Sequence, residues 1–112
     1  MTYCKKLEVS AAITRGERTL ATAKNYPVDP CNGNCEINNS CVKTIHAEVA
    51  ALMKCARHGI ATEGAEIWVS HKPCAECTKA IKFAGITKVY YRHDYPHKYD
   101  NNFSEGLELV KA

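Results

Sequence analysis

Residues 66–85 run Glu66-Ile67-Trp68-Val69-Ser70-His71-Lys72-Pro73-Cys74-Ala75-Glu76-Cys77-Thr78-Lys79-Ala80-Ile81-Lys82-Phe83-Ala84-Gly85, a strand pattern followed directly by a helix pattern. Residues 66–70 (EIWVS) are apolar and β-prone, which predicts a short buried strand with Trp68 in the core. Pro73 sits where prolines open helices, so residues 74–84 read as a helix, stopped at Gly85. Residues 88–92 (KVYYR) then predict another strand.

Toward the N-terminus, residues 45–58 predict the clearest helix. Ile45, Val49, Leu52, Met53 and Ala56 supply its apolar face, Thr44 its N-cap, and Gly59 stands at its C-terminal end. Residues 7–14 and 18–24 read as two strands joined by a turn at Arg15-Gly16-Glu17, a β-hairpin. Between them and the helix, residues 25–41 hold two prolines, five asparagines and three cysteines, the composition of a long loop. Past residue 92 comes a loop rich in Tyr, His and Asn, then a last helix expected over Ser104–Lys111. The order β-β-α-β-α-β-α implies an α/β domain with helices packed on a mixed sheet. Residues 1–112 read as a single domain, with no internal repeat, low-complexity segment or linker.

Composition narrows the setting. The chain has 112 residues and a formal charge of +3, too mild to mark a nucleic-acid tail. The opening MTYCKKLEVS has no apolar h-region, and no window approaches the roughly 20 apolar residues of a membrane span, so a cytoplasmic location is expected. Seven cysteines, an odd number without an export signal, favour metal ligation over disulfides.

Two short motifs carry chemistry: His46-Ala47-Glu48 and Pro73-Cys74-Ala75-Glu76-Cys77, each opening a predicted helix. Cys74 and Cys77 are three apart, hence on one helical face. Two thiolates and one imidazole suit tetrahedral zinc with a fourth position open, as in catalytic sites. Helix N-termini favour anions, and so stabilise thiolates. Glu48, two residues past a ligand, can face that site without binding the metal and act as general acid/base. Either motif alone has a plainer reading: HAE arises by chance in helices, and CxxC serves redox or structural zinc sites. Together, at two helix starts separated by one strand, they point to catalysis.

The pair H-x-E and P-C-x-x-C is the pattern of zinc deaminases acting on nucleobases. More narrowly, Cys41-Val42-Lys43-Thr44-Ile45-His46-Ala47-Glu48 resembles the CxRTxHAE segment of deoxycytidylate (dCMP) deaminases, with Lys43 where Arg is usual. Pro73–Ile81, Ala84-Gly85-Ile86 and Val89-Tyr90-Tyr91 resemble that family's PCxxCxKAIxxAGIxxVxY. The resemblance covers most of residues 4–112. It implies a cytidine-deaminase-like sheet, here lacking the usual N-terminal helix and stopping where the family often adds a last strand. It further implies hydrolytic deamination of dCMP to dUMP, with zinc on His46, Cys74 and Cys77 and Glu48 carrying protons to the ring and the departing amine. Asn25, in Ala23-Lys24-Asn25-Tyr26 where the family has GYNG, is expected at the sugar. Tyr95 follows the last predicted strand, where such enzymes close the pocket with an aromatic ring. Loop cysteines precede HAE in some members, and Cys4 aligns with a family cysteine. A second, structural zinc on Cys4, Cys31, Cys35 and Cys41 is therefore expected, the other reading being buried or spare thiols.

Other residues follow from position. Ala47 lies among the backbone groups expected to read the pyrimidine edge, and His71 lies two residues before Pro73, as if to line the pocket. Lys43, with Lys24 and Lys72 behind it, is the candidate phosphate cation. His93 and His97 read as pocket or surface, and Cys55 as helix packing. The expected partner is a small nucleotide, with no membrane, and self-association is expected of so small a domain. Two rivals stand: a deaminase of cytosine in single-stranded DNA or RNA, and a non-catalytic zinc-stabilised module. The first needs added basic loops; the second does not need Glu48.

Overall fold

A computed structural model describes residues 8–27, 36–37, 40–41, 44–94 and 106–112. The hairpin forms as expected: β1 (Ser10–Arg15) and β2 (Arg18–Lys24) pair antiparallel around Gly16, whose φ of 62° suits the turn. The stretch expected to be loop contains two small ladders. In one, β3 (Tyr26–Pro27) pairs antiparallel with β6 (Thr44–Ile45); in the other, β4 (Glu36–Ile37) pairs with β5 (Ser40–Cys41). The β3–β6 ladder sets Tyr26 opposite Ile45, one residue before His46.

Helix α1 (Ala47–Arg57), strand β7 (Glu66–His71), helix α2 (Ala75–Phe83) and strand β8 (Lys88–His93) follow. The chain then makes a strand where a last helix was expected: β9 (Glu108–Lys111) runs parallel to β8. Gly106, at φ 81°, turns the chain just before it, and Leu107 is buried. The five-stranded sheet has the order β2-β1-β7-β8-β9, antiparallel from β2 to β7 and parallel from β7 to β9. The carboxyl ends of β7, β8 and β9 therefore share an edge with the start of β1 and the end of β2.

The core lies between one sheet face and the helices. Ala11 and Ile13 of β1, Ile67 and Val69 of β7 and Val89 of β8 meet Ala47, Ala50, Ala51, Leu52 and Cys55 of α1 and Ile81 of α2 in one buried cluster. Burying a side chain such as Ile67 is worth about 1.5–3 kcal/mol. Cys55 is a packing residue, as expected. Met53 and Ala56, expected on the apolar face of α1, are exposed, because the helix turns Ala47, Ala50, Ala51, Leu52 and Cys55 to the sheet instead. Thr44 does not cap α1; His46 takes the N-cap position, without a side-chain cap bond. Trp68 is not core. Strand alternation sends Ile67 and Val69 inward, so Trp68 stands 46% exposed on the opposite face, stacked on Tyr90 at 4.1 Å and donating Nε1–H to Thr14 Oγ1. The absence of an N-terminal helix concerns residues 1–7, outside those described. No helix among the described residues is long and apolar enough to cross a membrane.

Candidate metal centre

Both helix starts carry a ligand-bearing residue at the N-cap. His46 is the N-cap of α1, and Cys74 is the N-cap of α2, its sulfur accepting the Cys77 N–H at 3.5 Å. Extended backbone at each cap (ψ 147° at His46, 172° at Cys74) turns the chain out of the preceding segment and into the helix. Cys77, in the first turn of α2, is buried. Thr78 locks that turn: its N–H and its Oγ1–H both donate to the Cys74 carbonyl at 2.9 Å. Thr78 was not singled out from sequence. Its position four residues after Cys74, where a hydroxyl can bond back along the helix, was the available signal.

His46 Nδ1 lies 3.2 Å from Cys77 Sγ and 3.7 Å from Cys74 Sγ, and the three donor atoms all fall within 4.8 Å of one another. Zinc bonds of about 2.0–2.1 Å to nitrogen and 2.3 Å to sulfur, at a tetrahedral angle, set N and S about 3.6 Å apart. The donor set and its spacing thus fit the metal, and His46, Cys74 and Cys77 could hold a zinc ion. No other cluster of three such groups occurs among the described residues.

The electrostatics are those of a thiolate site. A hydrogen bond from the Cys77 thiol, with further bonds from His46 and the Cys77 N–H, brings Cys74 down to about 3. Cys77, donating to Cys74 and buried, is held far above the ordinary thiol range. The hydrogen bond with Cys74 also raises His46. Glu48, in the first turn of α1, is 4% exposed. Burial raises its carboxyl above the ordinary value, against a backbone hydrogen bond, the nearby His46 charge and a hydrogen bond with Cys77. A buried carboxyl in contact with a metal-ligand set can exchange protons there without being a ligand.

The other candidates take several places. Ala47 is buried in the first turn of α1. Asn25 follows β2; its Oδ1 accepts the Val9 N–H at 2.8 Å and its N–H donates to the Val9 carbonyl at 3.1 Å. Since Tyr26 pairs with Ile45, Asn25 lies on the same sheet edge as His46. His71 is half-buried at the end of β7, and Lys72 lies 5.9 Å over the Tyr91 ring. Lys24 is exposed and ion-paired with Glu8 at 2.9 Å. Cys41 is described only as backbone of β5, while Lys43, Tyr95, His97, Cys4, Cys31 and Cys35 lie outside the described residues.

Residues 1–93 match the model of the cytidine and deoxycytidylate deaminase zinc-binding region. ComE operon protein 2 of Bacillus subtilis is 41% identical over 108 residues, 91% of this chain and 57% of its own length. The deoxycytidylate deaminase of enterobacteria phage T2 is 45% identical over 51 residues, 46% of this chain and 27% of its own. The chain thus spans little more than half, or less, of these relatives. Among solved structures, the dCMP deaminase of cyanophage S-TIM5 in apo form superposes with a TM-score of 0.79 at 32% identity, over 97% of this chain and 83% of that one. The same enzyme in complex with dCMP and dUMP gives 0.77 at 30%, over 97% and 84%. With this fold, this ligand trio and these matches, the chain belongs to the family defined by the cytidine and deoxycytidylate deaminase zinc-binding region.

Proposed function

We propose that the protein is a zinc-dependent hydrolase that deaminates dCMP to dUMP. The observation that carries this reading is the buried carboxyl of Glu48 beside His46, Cys74 and Cys77, a group that metal binding alone does not require. The names of the phage T2 and S-TIM5 relatives support the nucleotide substrate.

When bound, zinc supplies the Lewis acidity that makes water nucleophilic near neutral pH. As water adds to C4, Glu48 would take one of its protons and deliver it to the ring nitrogen beside C4; it would then pass the proton of the hydroxyl now on C4 to the amine, so that the C4–N bond breaks, ammonia leaves and a carbonyl remains. A carboxyl raised by burial suits this shuttle, because it is protonated more readily than an exposed one. The Ala47 N–H belongs to the first-turn amides that α1 cannot pair within itself, which suits it to the pyrimidine edge. Asn25, held in place by the Val9 N–H on its Oδ1, is assigned to the sugar by its sequence position. Lys43 is the cation that sequence position offers to the substrate, and Tyr95 is assigned to pocket closure by its sequence position. Cys4, Cys31, Cys35 and Cys41 are assigned to a second, structural zinc, and the working form is a homo-oligomer. Zinc content per chain should fall by one equivalent in Cys31→Ser; an unchanged content removes that second site.

The test is ammonia release by zinc-loaded protein with dCMP, deoxycytidine, dCTP and a cytosine-containing oligonucleotide. Turnover of dCMP above the others is expected. Turnover of the oligonucleotide alone would replace the substrate assignment, and no turnover of any would leave a zinc-stabilised module.

A further inference from the structure

Basic groups gather on the sheet edge that carries the metal centre. His71 and His93 end the parallel strands β7 and β8 in register, their ring centroids 5.1 Å apart and tilted by 38°. The Lys72 N–H donates to the His93 carbonyl at 2.9 Å, tying the two strand ends together. Arg92 also lies on β8, and Lys111 ends β9. Of the acids at this edge, Lys111 engages Asp94 at 2.6 Å, Lys24 engages Glu8 at 2.9 Å, and Glu48 is buried at the metal centre. Open α/β sheets bind their ligands outside the carboxyl ends of parallel strands, and His71 precedes the ligand Cys74 by only three residues. That length of chain reaches at most about 11 Å, so an anion on the histidine pair lies within a small molecule's length of the metal ligands.

Ser70 prepares one ring. Its Oγ accepts the Ser10 N–H at 3.0 Å and lies 2.8 Å from His71 Nδ1. The Ser10 amide fixes that oxygen, and its hydrogen bond with Nδ1 fixes the orientation of the His71 ring at the end of β7. His93 is exposed and tilted against this ring. Burial and the neighbouring His93 both hold His71 below its ordinary value, so the pair resists double protonation until an anion lies against it.

We infer that His71 and His93 together form the seat of the substrate's 5′-phosphate monoester, with Lys72 as the flanking cation. This rests on the nucleotide reading above and moves the phosphate contact from the lone lysines suggested by sequence to a histidine pair. A monoester dianion accepts from two ring N–H groups where a phosphodiester offers less charge, so the seat selects nucleotides over both nucleosides and polynucleotides.

The test reads binding rather than turnover. Titration calorimetry on zinc-loaded protein compares dUMP, deoxyuridine and a deoxyuridine-containing oligonucleotide. Wild type should bind dUMP at least about tenfold more tightly than deoxyuridine, the scale of one charge-assisted hydrogen bond. That ratio should fall to below about threefold in His71→Gln and in His93→Ala, the second an exposed position where folding is not at stake. His93→Glu should reverse it. Wild type without preference for dUMP, a preference unmoved by His93→Ala and His71→Gln, or an oligonucleotide bound as tightly as dUMP would each overturn the inference. A retained, histidine-dependent preference in a protein that deaminates nothing would overturn the enzymatic reading and leave the phosphate seat standing.

Discussion

Replacing Glu48 by Gln separates what the carboxyl does for chemistry from what it does for the fold. The two side chains have nearly the same shape, so the 4%-exposed site is neither emptied nor overfilled. Positioned acid/base groups contribute about 10²–10⁴ in rate, or about 2.7–5.5 kcal/mol of barrier. Ammonia release with dCMP should therefore drop at least about 100-fold, with zinc content unchanged; Glu48→Ala should lose as much. Stability should move the other way. Burial raises the Glu48 carboxyl in the folded chain, so its favourable contribution is complete below the unfolded value of 4.5 and is lost as pH rises through the folded value. In EDTA, which keeps metal charge out of the comparison, Glu48→Gln should melt above wild type at pH 8 and converge with it below pH 4.5. Thermal unfolding across that range measures the difference. A variant that keeps a tenth or more of wild-type turnover would remove Glu48 as the proton carrier. A melting point below wild type at pH 8 would show that the ionised carboxyl is held by bonds that outweigh its desolvation.

Further outcomes follow from the same geometry. Cys77→Ser should lower zinc content and reduce turnover together, because a buried hydroxyl replaces one of two sulfurs within 4.8 Å of the imidazole; atomic absorption and ammonia release measure the two losses. Gly85→Ala should cost about 1–2 kcal/mol from its left-handed φ of 86° alone, and more from a Cβ only 3.0 Å from the Glu63 Cα; denaturant unfolding reads the loss, and Glu63→Ala should relieve only the part due to the carboxylate at 2.7 Å. The His71 ring should titrate below 6.5 by NMR, so the stability it contributes is present above that value and fades as pH falls through the folded one; His93→Ala should move its titration upward.

The sequence carried the strand-helix-strand unit because its signals are local. Pro73 and Gly85 bracket α2, Gly59 follows α1, and Gly16 makes the hairpin turn. The clustering of His46, Cys74 and Cys77 was legible for a related reason: each motif opens a helix, and one strand between them brings both helix starts to one edge. At Met53 and Trp68, side-chain size is a poorer guide to burial than geometry. Met53 looked like core beside Ala50 and Ala51, but the face of α1 turned to the sheet is that of Ala47, Ala50, Ala51, Leu52 and Cys55. Trp68 looked like core until the period of two placed it opposite Ile67 and Val69. Residues 107–111 have leucine and valine spacing that suits a helix as well as a strand. The outer edge of β8, which only tertiary structure reveals, decides for β9. The pairing of His71 with His93 was likewise out of reach, since it depends on the register of two strands separated by a helix.

The placement of Trp68 has an optical consequence. It is the sole tryptophan of the sequence, so the protein's indole emission comes from one ring, half in solvent and stacked on Tyr90, on the face of the sheet turned away from the core. A water-soluble quencher reaches that ring directly, while the helices carrying His46, Cys74 and Cys77 lie on the far side of the sheet. The emission of Trp68 should therefore shift to the blue when something comes to rest on that open face of the sheet.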